Sequence, residues 1–183
     1  MEIIPAVKSM QLAQLEPGDL FIIHDDTGSY VALAVQDPNQ GGPLQLVIGP
    51  ATKEVSEPPI LTVFPSHITV VSFAKEYILR LPCDTKAWLP IEPPTGPCVI
   101  LSGDKFYMRA RYGGGGRVTP TYVSIKDGLL VANASGHFMR PRDDCAYAIQ
   151  GSFLTAEKEP REIISFSPSP RGCSARSGFR ASP

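Results

Sequence analysis

Nineteen prolines and sixteen glycines are spread along the 183 residues of this chain, and they leave little room for long helices. Proline lacks the N–H that a helix interior needs, and glycine raises the entropy lost on ordering the backbone. Between these breakers the apolar residues fall in short Val/Ile/Leu/Phe runs bounded by turn-forming residues, which is the pattern of an all-β chain. The sequence therefore predicts a mainly β protein with little helix. A hydrophobic content of 43% is enough for it to build a core.

Glu16-Pro17-Gly18-Asp19 reads as a turn, with Pro presetting one dihedral angle and Gly supplying the next. A β-meander follows, with strands expected at 20–24, 29–36 and 44–48, then at 60–64 and 68–73. Residues 76–81 extend the sheet or form a helical turn. Residues 81–97 carry Pro82, Pro90, Pro93, Pro94 and Pro97, so they form a crossing segment between two β units, 1–80 and 98–164, with Trp88 pinning it to the body. Each unit is expected to be small and barrel-like or sandwich-like. Residues 156–162 read as a terminal loop or short helix, and 165–183, rich in Ser, Pro, Gly and Arg, as a mobile basic tail.

The halves share short matches in one order. Gly18-Asp19-Leu20-Phe21 aligns with Gly103-Asp104-Lys105-Phe106, Leu46-Val47 with Leu130-Val131, and Ser72-Phe73 with Ser152-Phe153. An internal duplication in this register sets Leu20, Ile22, His24 and Asp26 opposite Lys105, Tyr107, Arg109 and Arg111. A basic face would then be a specialisation of the second unit.

Charge is distributed unevenly. Residues 1–60 hold eight acids against Lys8 and Lys53, whereas 101–126 hold Lys105, Arg109, Arg111, Arg117 and Lys126 against Asp104 alone. In a strand, side chains alternate between faces, so Lys105, Tyr107, Arg109 and Arg111 project one way and Phe106, Met108, Ala110 and Tyr112 the other. Gly113–Gly116 reverse the chain and Arg117 leads it back as a hairpin. Lys105, Tyr107, Arg109, Arg111 and Arg117 are thus the candidate ligand-binding residues, with forked arginine hydrogen bonds and one aromatic ring offered to an anionic macromolecule: a single-stranded nucleic acid or an acidic protein segment.

Other constellations are weaker. Cys83, Cys98, Cys145 and Cys173 lack a Cys-x-x-Cys spacing, which points to reduced thiols in a cytoplasm. No apolar run reaches the ~20 residues of a membrane-spanning helix. His24, His67 and His137 have no second ligand at metal-like spacing, so no metal or other cofactor is expected. Asp25 and Asp26 beside His24 suit a hairpin turn, and Asp143-Asp144-Cys145 suits a loop.

Ser9-Met10, then Gly18-Asp19-Leu20-Phe21-Ile22-Ile23-His24, then an apolar strand ending at Val35, resembles the Ser-Met … Gly-Asp pattern of the LexA and signal-peptidase-like serine proteases. The resemblance implies a β scaffold with Ser9 as nucleophile and a lysine as general base. No lysine lies in 44–48, where that family carries it, and Lys53 is the nearest candidate. The expected function is accordingly non-catalytic binding. The alternatives are a serine hydrolase using Ser9 with Lys53, or a structural protein that self-associates.

Overall fold

The computed structural model describes residues 8–39, 43–51, 55, 57–74, 77–81, 88–89, 96–112, 121–139, 147–151 and 161–166. They form a mainly β protein, as the prolines and glycines dictate, and the only helical piece among them is a single 3-10 turn at Leu12–Gln14. No helix among them is long and apolar enough to cross a membrane.

The first half contains β1 (Lys8–Gln11), β2 (Leu20–Asp25), β3 (Gly28–Gln36), β4 (Pro43–Pro50), β5 (Ile60–Thr62) and β6 (Thr69–Ala74). β2 to β5 form an antiparallel meander, β6 returns along the free side of β2, and β1 adds outside β6. After β7 (Tyr77–Arg80) come β8 (Trp88–Leu89), β9 (Val99–Ser102), β10 (Lys105–Tyr112), β11 (Thr121–Ser124), β12 (Leu130–Val131) and β13 (His137–Met139). The order of the first set is β1-β6-β2-β3-β4-β5, and that of the second is β8-β13-β9-β10-β11-β12. The same plan is used twice. β8, drawn from the proline-rich crossing, occupies the place that β1 holds in the first half.

The register of the repeat differs from the one the dipeptide matches suggested. Asp25 pairs with Gly28 and Ser102 with Lys105, each closing a two-residue loop, so the hairpins coincide at an offset of 77 (102 − 25 and 105 − 28). A like hydrogen bond recurs, with its acceptors at the same offset and its donors 74 apart (125 − 51): Ala51 N–H donates to Ser29 O and Ile125 N–H to Phe106 O. β2 therefore corresponds to β9, and β3 to β10. The Gly-Asp pairs misled because they serve different turns. Gly18-Asp19 enters β2, whereas Gly103-Asp104 is the loop inside the β9–β10 hairpin; the glycine that precedes β9 is Gly96, whose φ of 83° matches the 91° of Gly18.

The halves are joined reciprocally. The end of β10 runs parallel to the start of β5, pairing Arg111 with Ile60 and Tyr112 with Leu61. The end of β3 makes the matching parallel bridge, Gln36 to Leu129, just ahead of β12. Each half thus lends the end of its second meander strand to the start of the other's fourth, as a two-fold interface between subunits would.

Side-chain alternation supplies three apolar clusters. The largest takes Leu20, Val31, Leu33, Leu46 and Leu61 from the first half and Val99, Met108, Ala110 and Val123 from the second. Phe21, Ile23, Ala32 and Val70 fill a cluster on the opposite face of the first half, and Cys98, Ile100, Tyr122 and Phe138 one in the second. A separate three-stranded sheet, β7 with β14 (Tyr147–Gly151) and β15 (Arg161–Phe166), adds Ile149 and Ile164 to the main cluster. Arg161 and Glu162, expected in a terminal loop or short helix, and Ser165 and Phe166, expected at the start of a tail, belong to β15. Its pairing with β14 fixes them as strand, which local charge does not reveal. Residues 152–160 and 167–183, including the Ser152-Phe153 match and the rest of the tail, lie outside the described residues.

Candidate functional site

The alternation read along β10 is the one observed: Met108 and Ala110 are each 1% exposed in the main cluster, and Phe106 packs against it. The opposite face is covered at its middle and open only at its ends, Lys105 and Arg111. Tyr107 packs against the cluster of Cys98, Ile100, Tyr122 and Phe138. Arg109, expected in solvent, is only 8% exposed and donates from its guanidinium to the Gly96 carbonyl. The period of two identifies which residues share a face; it does not say that β11 and β13 bring Tyr122 and Phe138 to cover it. An arginine stem among apolar groups with its charged end bonded to a carbonyl satisfies both parts of the side chain.

Nor do the other cations converge on one open surface. Arg111 donates to Glu57 at 2.8 Å, joining the end of β10 to the segment before β5, with both side chains substantially exposed. Lys105 lies 3.4 Å from Asp127. Arg117 is outside the described residues. Counted at the observed offset, the first-half counterparts of Lys105, Tyr107, Arg109 and Arg111 are Gly28, Tyr30, Ala32 and Ala34, so all three charges belong to the second half alone. The counterparts expected from the dipeptide matches, Leu20, Ile22, His24 and Asp26, lie on the neighbouring strand and its turn.

Beside Lys105 the second half opens into a groove of about 860 Å³. Its apolar lining is Phe106, Ile125 and Pro17 with Tyr77 and Leu79 from β7; Asp104, Lys105, Ser124, Lys126 and Asp127 contribute polar groups. At the observed offset Lys105 and Phe106 replace Gly28 and Ser29, and the hydrogen-bond correspondence sets Ile125 against Ala51. The repeated backbone has acquired apolar walls and a cation in one copy only.

Tyr77 fixes the β7 part of this lining. Its hydroxyl lies 2.9 Å from the Gly18 carbonyl and also reaches the Ile125 carbonyl, tying β7 to a turn of each half. Burial, with the Asp19 and Asp127 carboxylates nearby, pushes the Tyr77 phenol well above the usual tyrosine range. Asp127 is held loosely, 3.4 Å from both Lys105 Nζ and Ser124 Oγ. A groove of this size, lined about equally by apolar and polar residues, suits a small molecule or a short run of side chains. Sequence reasoning found Lys105 here, placed Phe106 on the apolar face of its strand, and missed Ile125, Tyr77 and Leu79.

The remaining candidates are placed simply. Ser9 is exposed on the edge strand β1, opposite Val71, and Lys53 lies outside the described residues. His24 Nδ1 is 2.6 Å from Ser29 Oγ across the β2–β3 hairpin. Asp25 accepts from Thr27 N–H at 2.7 Å and Gly28 N–H at 3.0 Å, and the Thr27 hydrogen bonds hold its carboxyl below the usual range. His67 is exposed in the turn before β6, His137 is exposed at the start of β13, and Cys98 is buried, with its thiol 3.7 Å from the Val99 carbonyl oxygen. Residues 143–145 are outside the described set. No protein-family model, no curated protein and no solved structure matches the chain.

Proposed function

We propose that the protein is a non-catalytic binding module, and that its ligand is an acidic protein segment seated in the groove lined by β7, the start of β10 and the β11–β12 turn. The observation that carries this reading is the groove itself: apolar walls from Phe106, Ile125, Tyr77 and Leu79 beside the amines of Lys105 and Lys126. Apolar side chains of the segment would bury against the walls while its carboxylates meet the lysines. Tyr107 is partly buried against the cluster of Cys98, Ile100, Tyr122 and Phe138 and does not line the groove, which favours a protein segment over a base-stacking single-stranded nucleic acid. Placement in a reducing cytoplasm belongs to the same proposal.

The test is a fluorescence titration with a short blocked peptide of alternating leucine and glutamate, beside its glutamine counterpart and oligo-deoxythymidine. The glutamate peptide is expected to bind, more weakly as salt rises through the range where the Debye length falls from ~30 Å to ~8 Å. Lys105→Glu with Lys126→Glu should remove that salt dependence. Equal binding of the glutamate and glutamine peptides, or binding of the oligonucleotide alone, refutes the reading.

A further inference from the structure

The groove carries an internal rival for its own ligand. Asp127 lines it, with Oδ2 3.4 Å from Lys105 Nζ and 3.4 Å from Ser124 Oγ. Those two groups, an ammonium and a hydroxyl, form a small receptor for a carboxylate, and the chain fills it with its own. The contacts are long for charge-assisted hydrogen bonds, which run at ~2.7–2.9 Å. The two side chains keep 51% and 36% of their surface exposed, so solvent screens the pair and little holds it shut. The turn that bears Asp127 does not depend on the ion pair. It is closed by main-chain bonds from Ser124 N–H to Leu129 O and from Gly128 N–H to Ser124 O, each 2.9 Å.

Resting on the binding function proposed above, we infer that Lys105–Asp127 is a displaceable latch: an acidic segment enters by exchanging its own carboxylate for that of Asp127 at Lys105 Nζ. Asp127 is then a specificity-determining residue. It holds Lys105 against weak or neutral ligands, and the occupant must bring both a carboxylate to take the amine and an apolar side chain for the Phe106 and Ile125 wall.

The experiment compares wild type, Asp127→Asn and Asp127→Asn with Lys105→Met in the same peptide titration. Asparagine keeps an oxygen for the Ser124 hydroxyl and removes only the charge. Asp127→Asn should bind the glutamate peptide several-fold more tightly with no change for the glutamine peptide, and adding Lys105→Met should cancel the gain. If wild type binds and Asp127→Asn binds no better, the latch is refuted and the binding function stands. Should wild type fail to bind while Asp127→Asn binds through Lys105, the latch is supported in its strongest form. Failure of both proteins to bind refutes the latch together with the groove's proposed ligand.

Discussion

Gly103 and Gly128 have almost the same backbone, with φ of 62° and 63°, in different surroundings. A Cβ added at Gly103 meets nothing within 4 Å. One added at Gly128 falls against the Gly18 nitrogen and the Ala34 carbonyl oxygen and comes to 2.8 Å from the Pro17 carbonyl carbon, all backbone atoms that no rotamer change can move. Alanine at either site incurs the left-handed penalty of about 1–2 kcal/mol. It also restricts the unfolded chain similarly in both, so that effect cancels in a comparison. Gly128→Ala adds overpacking of about 1–3 kcal/mol, and about 1 kcal/mol if the bond from Gln36 N–H to Gly128 O is broken by the shift. Gly128→Ala should therefore be less stable than Gly103→Ala by about 2–4 kcal/mol. With a urea m-value of about 2 kcal/mol per molar, within the usual range, that separates the midpoints by roughly 1–2 M, and a domain of ordinary stability is left marginal. Urea unfolding of the two variants checks it. Equal midpoints would mean that the turns at 16–19 and 126–128 do not meet as described.

Three further outcomes are expected. Tyr77→Phe should lose about 1–3 kcal/mol by leaving the Gly18 and Ile125 carbonyls short of a donor. Because the folded phenol titrates above its unfolded value near 10, the stability it confers is whole below about pH 10 and declines above it; pH-dependent melting should show that decline in wild type and not in Tyr77→Phe. Arg109→Ala should cost about 2–4 kcal/mol in denaturant unfolding, through the vacated space and the loss of its bond to Gly96, whereas Arg111→Ala, which breaks an exposed pair, should stay within about 1 kcal/mol. Ser9→Ala should leave folding unchanged, and a serine-directed phosphonate should not label Ser9; labelling lost in Lys53→Ala would restore the hydrolase alternative.

Strand positions were readable because they depend on local facts: where Pro and Gly break the chain, and which residues alternate. The Glu16–Asp19 turn is closed by Asp19 N–H to Glu16 O at 3.0 Å, with Gly18 at positive φ, as its residues require. The repeat was visible as a similarity and misregistered, since Gly-Asp recurs in turns of different kinds while strand order is a property of pairing. Arg109 was misplaced for a related reason. Whether the second face of β10 is wet depends on Tyr122 and Phe138, which reach it from other strands. The groove was the least legible feature, because Tyr77 and Leu79 belong to a strand that pairs with β14, 68 or more residues away at every matched position.

The two parallel bridges, β10 to β5 and β3 to Leu129, also govern the order in which the molecule can be made. During synthesis the first half is complete before β10 exists, so the outer edge of β5 at Ile60 and Leu61 waits unpaired while the ribosome makes some fifty more residues (111 − 60 = 51). The main apolar cluster waits with it, lacking Val99, Met108 and Val123. Closure needs contacts of long sequence separation, which form slowly because loop entropy must be lost first. An early first half is thus a half-finished sheet with an open edge, the species most prone to pair with a neighbour of its own kind. The nascent chain is best protected when a holdase covers 60–62, and translation halted near residue 80 should yield aggregates.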